Sequence, residues 1–554
     1  MIPSGYKTGT VFSQKPMSTD GQLTFTRSND TATRVASNGL IEKVRTNLVL
    51  QSNSFDTTWT ASNASVTSGQ AGYDGTNNAW LLSKSAASGY ISQGPASSGS
   101  ETISVYAKAG TDNWLYILVR DSASVFFGGY FDLQNGVVGS ATGATTLKIE
   151  SVGNGWYRCS ASFVKSTSTY YRIYPAEGNN DTSGTSGNIL IQASQLEAGD
   201  VATNYIPTTT TAVSVGPVAN VPRLDYLNSS CPRLLLEPQR TNSLTYSEQF
   251  DNAAWIKDAS TATANAAISP DGYTNADKLF ETATTDFHRV YGPTISVTSG
   301  TTYTASIFVK AAEVTTFAME LRLTSNVADA TFNLVAGTVS GSGVIQDYGN
   351  GWYRCIVTGT ATATGGGRPM FFIKQRSSYA GNTSNGLLIY GAQFEAGSYP
   401  TSYIPTLGAS VTRGADACSK TGISSLIGQT EGTLFLEFDY NQPSPDVNGR
   451  LLQVYATNDT TNAIVPLIFG AGVNVNQFQL TTFSGGGTAV AITASASTVV
   501  PFGRQKFAIA YNAGAYTVYR NGSLFASGSG LVPASLTAMD LGGSSFGTRN
   551  LCNP

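Results

Sequence analysis

The heptapeptide GNGWYRC occurs twice in this chain of 554 residues, from Gly153 to Cys159 and again from Gly349 to Cys355. The flanking sequence repeats with it, in the same order. RTNLVLQSNSFDTTW from Arg45 answers RTNSLTYSEQFDNAAW from Arg240, and YDGTNNAWLL from Tyr73 answers PDGYTNADKL from Pro270. ISVYAKA from Ile103 answers ASIFVKA from Ala305. ILIQASQLEAGDVATNYIPTTTTAVS from Ile189 answers LLIYGAQFEAGSYPTSYIPTLGASVT from Leu387. Spacing drifts by a few residues between matches, as loop insertions would make it. The copied unit is roughly 165–175 residues long, the size of a domain rather than of a solenoid repeat. Any fold for this chain must therefore contain one domain twice.

What kind of domain follows from the pattern inside each copy. TISVYAK, NWLYILVR, GGYFDL, GWYRCSASF, YYRIYP and ILIQASQLE alternate apolar with polar residues and are separated by Gly, Asn and Ser clusters, the period-2 signature of strands. No helical periodicity of useful length competes. Charged residues make up 12% of the chain against about 25% in ordinary globular proteins, and 58 glycines with many Ser, Thr and Asn fill the difference. The expectation is an all-β protein: tandem antiparallel β-sandwich (jelly-roll) domains with an extended N-terminal arm.

The arm takes residues 1–44, which alternate short extended pieces with turn residues and are too few for a core of their own. It is expected to order against a partner surface. Module 1 covers 45–207 and a Pro- and Thr-rich connector 208–239, whose prolines exclude it from a central sheet position. Module 2 covers 240–405. Residues 411–554 are not a third copy but carry further strands, with a tight hairpin at Asn521–Gly522 in YNAGAYTVYRNGSLFA.

At this point two resemblances are readable. The copies, with YSEQFDNAAW, SPDG, GNGWYRC and PTSYIPT, resemble carbohydrate-binding-module-like jelly rolls of tailed-bacteriophage structural proteins. VPRLDY and CPRLLLEPQRTN in the connector and LTFTRSNDTATRVASNGLIE in the arm look like segments that accompany them. FAIAYNAGAYTVYRNGSLFA resembles the laminin-G/concanavalin A-like sandwich. The resemblance implies a virion surface protein, a head fibre, capsid decoration or tail appendage, held to phage capsid or tail proteins by its arm and displaying domains for host-surface glycans. A purely structural stabilising role is the alternative, and a polysaccharide-degrading tailspike is disfavoured. A homo-oligomer is expected, with a trimer favoured.

The chemistry supports binding over catalysis. His288, in DFHRVYG, is the one histidine, which rules out a histidine metal cluster, and it is expected in a loop or facing solvent. Glu197 and Glu395 occupy equivalent places in LEAG and FEAG, and a residue kept in both copies suits a structural role rather than one member of a catalytic acid pair. Cys159 and Cys355 are expected as buried thiols and the five cysteines show no disulfide framework. Net charge is −3 with no basic run, so nucleic acid is not an expected partner. Nothing near Met1 resembles a secretory leader and no apolar run reaches membrane-spanning length. The expected place of synthesis is the host cytoplasm, without membrane insertion.

For a ligand, alternation puts Leu115, Ile117 and Val119 in the core and Trp114, Tyr116, Leu118 and Arg120 on the opposite face, with Tyr170, Arg172 and Tyr174 sharing a face on another strand. Trp114, Tyr116, Arg120, Tyr170, Arg172 and Tyr174 are the candidate platform, for a glycan or for a protein interface. In module 2, Glu320 and Arg322 are placed on one face and Arg368, Phe372 and Lys374 on another, so the platform is not copied. No cofactor is expected beyond a structural Ca²⁺, for which Asp74 and Asp271 in the duplicated Asp-Gly turn are the candidates. An ordinary turn aspartate bonding its own backbone is the competing reading.

Overall fold

The computed structural model describes residues 3–13, 22–440, 448–456, 459–469 and 474–541; Cys552 and the Gly-rich tail lie outside them, as do parts of the arm. Among the described residues the regular structure is strands, apart from one 3₁₀ turn at Ala496–Thr498. The chain divides into two compact units, Val44–Gly216 with Tyr273–Asn275, and Met1–Lys43 with Pro217–Gly272 and Ala276–Pro554.

In the first unit, module 1 is a sandwich of two six-stranded antiparallel sheets. One runs, in spatial order, Val137–Thr142, Phe126–Asp132, Trp114–Asp121, Ser168–Ala176, Tyr90–Gln93 and Thr60–Ser62. The other runs Thr145–Gly153, Trp156–Lys165, Gly99–Ala109, Gly187–Ala198, Ala79–Lys84 and Ala64–Gln70. Leu115, Ile117 and Val119 meet Ile103, Val105 and Ile191 between the sheets, as their alternation requires. Module 2, in the second unit, repeats the plan, and its core is built on Phe317, Met319, Leu321, Ile307, Val309 and Ile389. The third sandwich pairs a four-stranded sheet, Glu431–Tyr440, Gly503–Asn512, Ala515–Arg520 and Ser523–Ser529, with a ten-stranded one. Its hairpin at Asn521–Gly522 has φ of 49° and 88°, the left-handed pair a type I′ turn needs.

The repeated GNGWYRC is a fold element. Asn154–Gly155 and Asn350–Gly351 turn with φ of 54°, 77°, 53° and 78°, and each turn feeds the strand that begins at Trp156 or Trp352. Cys159 and Cys355 point into the cores, fully buried, while Trp156 and Trp352 are buried on the sheet's other face. Glu197 and Glu395 behave as a copied structural residue should. Each accepts from the backbone N–H of its own loop, Thr203 or Thr401 (both 2.8 Å), and from the neighbouring Gln195 or Gln393.

The arm finds its partner surface within its own unit. Leu23–Thr26 adds to the ten-stranded sheet beside Ala417–Thr421, and Thr33–Val35 pairs with Ile41–Lys43 as a hairpin on module 2. There Ile41 joins Ala276, Phe308, Trp352, Tyr390 and Tyr403 in one apolar cluster. Module 1 covers its equivalent surface with its own Tyr73, stacked on Tyr106 at 3.9 Å.

Behind the hairpin lies a buried charge node. Arg27 bonds Asp416 (3.1 Å), Arg223 bonds both Asp416 and Glu237, and Arg413 bonds Glu237 (2.6 Å), with side-chain exposures of 0–2%. Burial alone would raise the Glu237 carboxyl; Arg413, Arg223 and hydrogen bonds from Ser402 override it and hold the group at about 2.

Candidate ligand-binding face

The register of module 1's first sheet sets the outward side chains in rows. Tyr130 lies opposite Tyr116, Tyr116 opposite Tyr174, and Tyr174 beside Tyr90, so four adjacent strands each contribute one tyrosine to one row. Neighbouring strands stand about 4.8 Å apart, so the row is roughly 15 Å long. The next row reads Gly128, Leu118, Arg172, Ser92 and the one beyond it Phe126, Arg120, Tyr170. Gly128, Leu118 and Ser92 in the middle row are shorter than the rows beside them and floor a trough, which the long side chain of Arg172 crosses. The tyrosines wall it on one side, and Phe126, Arg120 and Tyr170 wall it on the other.

All of the proposed platform residues therefore share one face. Trp114 sits at its end, packed over Gly139. Tyr90 and Tyr130 were missed. The outward position of Tyr130 follows from the alternation of Phe127 and Phe131, but which strand lies next to which comes only from the pairing. One feature departs from the sequence expectation. The rings do not lie flat as a stacking platform: Tyr116 and Tyr130 stack on each other (4.1 Å, 6°), and Tyr174 tilts against Tyr116 (5.3 Å) and Tyr90 (5.0 Å). Rings that pair across strands spend their faces on each other, and Tyr130 (8% exposed) and Tyr174 (5%) are buried in the row, while Tyr116 and Tyr90 are half-buried.

Arg172 is held between the rings of Tyr90 (4.1 Å) and Tyr170 (3.8 Å), and its Nη1 donates to Tyr174 Oη (3.2 Å). Arg120 lies near Phe126 and donates to Ser124 (2.8 Å). Burial pushes the phenols of Tyr130 and Tyr174 up to about 12, so both remain protonated through the physiological range.

Module 2 builds the same positions from different residues. Thr331, Ala318, Phe372 and Arg289 replace the tyrosine row, and Asp329, Glu320, Met370 and Tyr291 replace the trough. Glu320 is bridged by Arg322 (2.7 Å) and Arg376 (2.8 Å), Arg376 also meets Asp329, and Arg289 pairs with Asp258 (2.7 Å). Arg322 lies directly opposite Arg368, so Glu320, Arg322, Arg368 and Phe372 share one outward face rather than two, which corrects the sequence assignment. Strand pairing, not alternation within a strand, decides which residues become neighbours.

The aspartates chosen for calcium are otherwise engaged. Asp271 is buried, bonded by Lys43 Nζ (2.7 Å), Tyr390 Oη (2.9 Å) and Ser269 Oγ (2.6 Å), so an ammonium group from the arm takes the position assigned to a metal ion. Asp74 accepts from the Thr76 backbone (3.1 Å) and hydroxyl (2.7 Å) and from Gln192 (3.1 Å), a turn aspartate tied to its own loop. Among the described residues no group of three or more His, Cys, Asp or Glu is placed to hold a metal. His288 is fully buried rather than solvent-facing, its ring nitrogens against the carbonyl oxygens of Ala259 (2.6 Å) and Tyr379 (3.1 Å). Of Phe287–Arg289 it is His288 that turns fully inward, where the two carbonyl oxygens answer its polarity.

A second concavity, of about 470 Å³, lies among the arm hairpin, the connector and module 2, lined by Arg34, Asp225, Arg233, Asp347, Tyr348 and Arg354 among others. Two of its arginines are answered within the chain: Arg34 pairs with Glu42 and Arg233 with Asp439.

No protein-family model matches the chain, and no curated protein matches it. Among solved structures it is similar to domains LG4-5 of the mouse laminin alpha1 chain, at 11% identity over 54% of this chain and 86% of that one, with a TM-score of 0.16. It is also similar to the LG1-3 region of the laminin alpha2 chain, at 10% identity over 83% of this chain and 92% of that one, with a TM-score of 0.14. Oxalate decarboxylase from Bacillus subtilis follows at 7% identity, 60% and 74% coverage, and a TM-score of 0.10. At these scores the likenesses carry no functional argument, and the all-β architecture rests on the sheets themselves.

Proposed function

We propose that this chain is a non-enzymatic binding protein of a tailed-phage particle surface, and that it engages host or mucosal glycans through the outward face of module 1. The observation that carries the reading is the contrast between the copies. One scaffold, duplicated, keeps its core and turn but opens a tyrosine-walled trough in module 1 and closes the same place in module 2 with ion pairs. Outward aromatic and Arg side chains with phenol hydroxyls suit a hydroxyl-rich ligand. Its placement on a virion, as head fibre, decoration or tail appendage, is supported by the resemblance of the PTSYIPT and LLLEPQRTN segments. A binding rather than catalytic role is supported by the sequestration of Glu197 and Glu395 in their own loops.

The test is a glycan array probed with the full chain and with a Tyr116→Ala, Tyr174→Ala double variant. Binding by the wild type that the double variant loses supports the proposal. Absence of binding to any glycan refutes it in favour of a purely structural particle protein. A homo-oligomer, with a trimer favoured, belongs to the same proposal, and sedimentation velocity tests it: a monomer across the accessible concentration range would remove that part.

A further inference from the structure

We infer that the ligand of the module 1 trough is an acidic polysaccharide, whose carboxylate, sulfate or phosphate groups seat against Arg172 and Arg120; this rests on reading that face as a glycan site. Neither arginine enters an ion pair among the described residues. A guanidinium that has lost water on both faces to aromatic rings retains in-plane N–H donors with no anion to receive them. The Arg172 guanidinium stands in that position, between Tyr90 and Tyr170.

The second copy answers two of its outward arginines with acids, although Arg368 there, over the ring of Tyr291, has no ion pair among the described residues. Where module 1 has Leu118 and Gly128 in the trough, module 2 places Glu320 and Asp329, and these acids neutralise Arg322 and Arg376. The same sheet can thus supply its own carboxylates, and in module 1 it supplies none at those positions. The acids that do stand near are committed elsewhere. Asp132, in the row beyond the tyrosines, accepts from the backbone N–H groups of Gln134 (2.9 Å) and Asn135 (3.0 Å). Asp181, whose charge reaches Tyr130, is held by the backbone and hydroxyl of Ser183.

What this face carries is two guanidiniums, with no carboxylate in the rows that hold them. Guanidiniums only donate, whereas the phenols, kept protonated by burial, both donate and accept, as Tyr174 does from Arg172. Phenols can meet the hydroxyls of any sugar, but the charge of a guanidinium is met only by an anion, and Arg holds carboxylate, sulfate or phosphate with paired N–H bonds. The row of phenols, roughly 15 Å long, favours an extended chain of acceptors over a single small ion.

The experiment is a titration of the full chain with matched pairs of oligosaccharides, followed by calorimetry. The pairs are an oligogalacturonate and its methyl ester, a sulfated galactan fragment and its desulfated form, a sialylated glycan and its desialylated form, and a phosphodiester-linked glycan and its dephosphorylated units. At least one acid member should bind at least about tenfold more tightly than its neutral partner, with affinity falling as salt is raised. Arg172→Gln should cost about tenfold or more for that member, Arg120→Gln a smaller factor, and Arg368→Gln in module 2 nothing. Because Arg120 lies at the trough's rim, its variant keeps the test valid if Arg172→Gln folds poorly. Neutral members bound as tightly as acid ones, with loss in the tyrosine double variant, would overturn the acidic class while leaving the glycan site standing. Acid members bound equally by wild type and both arginine variants would overturn the placement. No binding by any member would overturn this inference and the functional proposal together.

Discussion

Replacing Glu237 by Gln removes one charge from the buried node and little else. The side chain keeps its shape, but Arg223 and Arg413 lose the carboxylate they share, and three guanidiniums are left with Asp416. Two routes give the size of the effect. Breaking one partner of a buried ion pair costs about 3–5 kcal/mol. Independently, a fully buried carboxyl held at about 2 when folded against 4.5 when unfolded contributes about 3 kcal/mol at neutral pH. The sign follows from the depressed folded value. The contribution is present above pH 4.5 and is lost as pH falls toward 2. Urea unfolding, read by a probe in the unit that contains module 2, should therefore show Glu237→Gln about 3 kcal/mol less stable at pH 7, with the gap closing as pH drops below 4.5. Glu150→Gln, from the exposed Lys148–Glu150 pair, is the control and should shift stability by no more than about 0.5 kcal/mol. A Glu237→Gln protein that unfolds with the wild type at pH 7, or a gap that does not depend on pH between 5 and 2, would refute the reasoning.

Other predictions follow from the same geometry. Gly155→Ala places a Cβ at φ of +77° in the turn of the repeated heptapeptide and should cost module 1 about 1–2 kcal/mol in thermal or urea unfolding. Tyr130 and Tyr174, raised to about 12, should ionise after the exposed tyrosines in an ultraviolet titration; since their folded values lie above 10, module 1 should lose stability as pH rises from 10 to 12. Cys231 is exposed whereas Cys159, Cys355 and Cys418 are buried with raised thiols, so peptide mapping after brief alkylation should find Cys231 modified and those three only after unfolding. Deleting residues 1–43 removes Arg27, Ile41 and Lys43 from their sites, so the truncated chain should melt lower in that unit, as calorimetry would show.

How far the chain could be read in advance depends on whether a property is local. Alternation in NWLYILVRD assigned Leu115, Ile117 and Val119 to the core because period 2 is a property of one strand. The Asn521–Gly522 hairpin was legible for the same reason, since a type I′ turn asks for those residues. The outward position of Trp114, Tyr116 and Arg120 came with them. What the pattern did not contain was pairing. That Tyr130 and Tyr90 complete the row, and that its rings pack on one another, depends on which strands become neighbours. Long-range partners were equally invisible: the binding of Lys43 to Asp271 and the burial of His288 join residues far apart in sequence. The arm illustrates both sides. Its need for a partner surface could be read, but not that the surface lies on module 2 and the third sandwich.

The most direct test of the account asks whether the two copies differ in binding as they differ in surface. Hydrogen exchange would be measured on the full chain with and without an array-selected glycan at saturating concentration. The account predicts slowed exchange at the trough strands Trp114–Asp121 and Ser168–Ala176, with no change at the equivalent strands Thr316–Leu323 and Gly365–Ile373. Protection confined to module 2, or to the third sandwich, would contradict it.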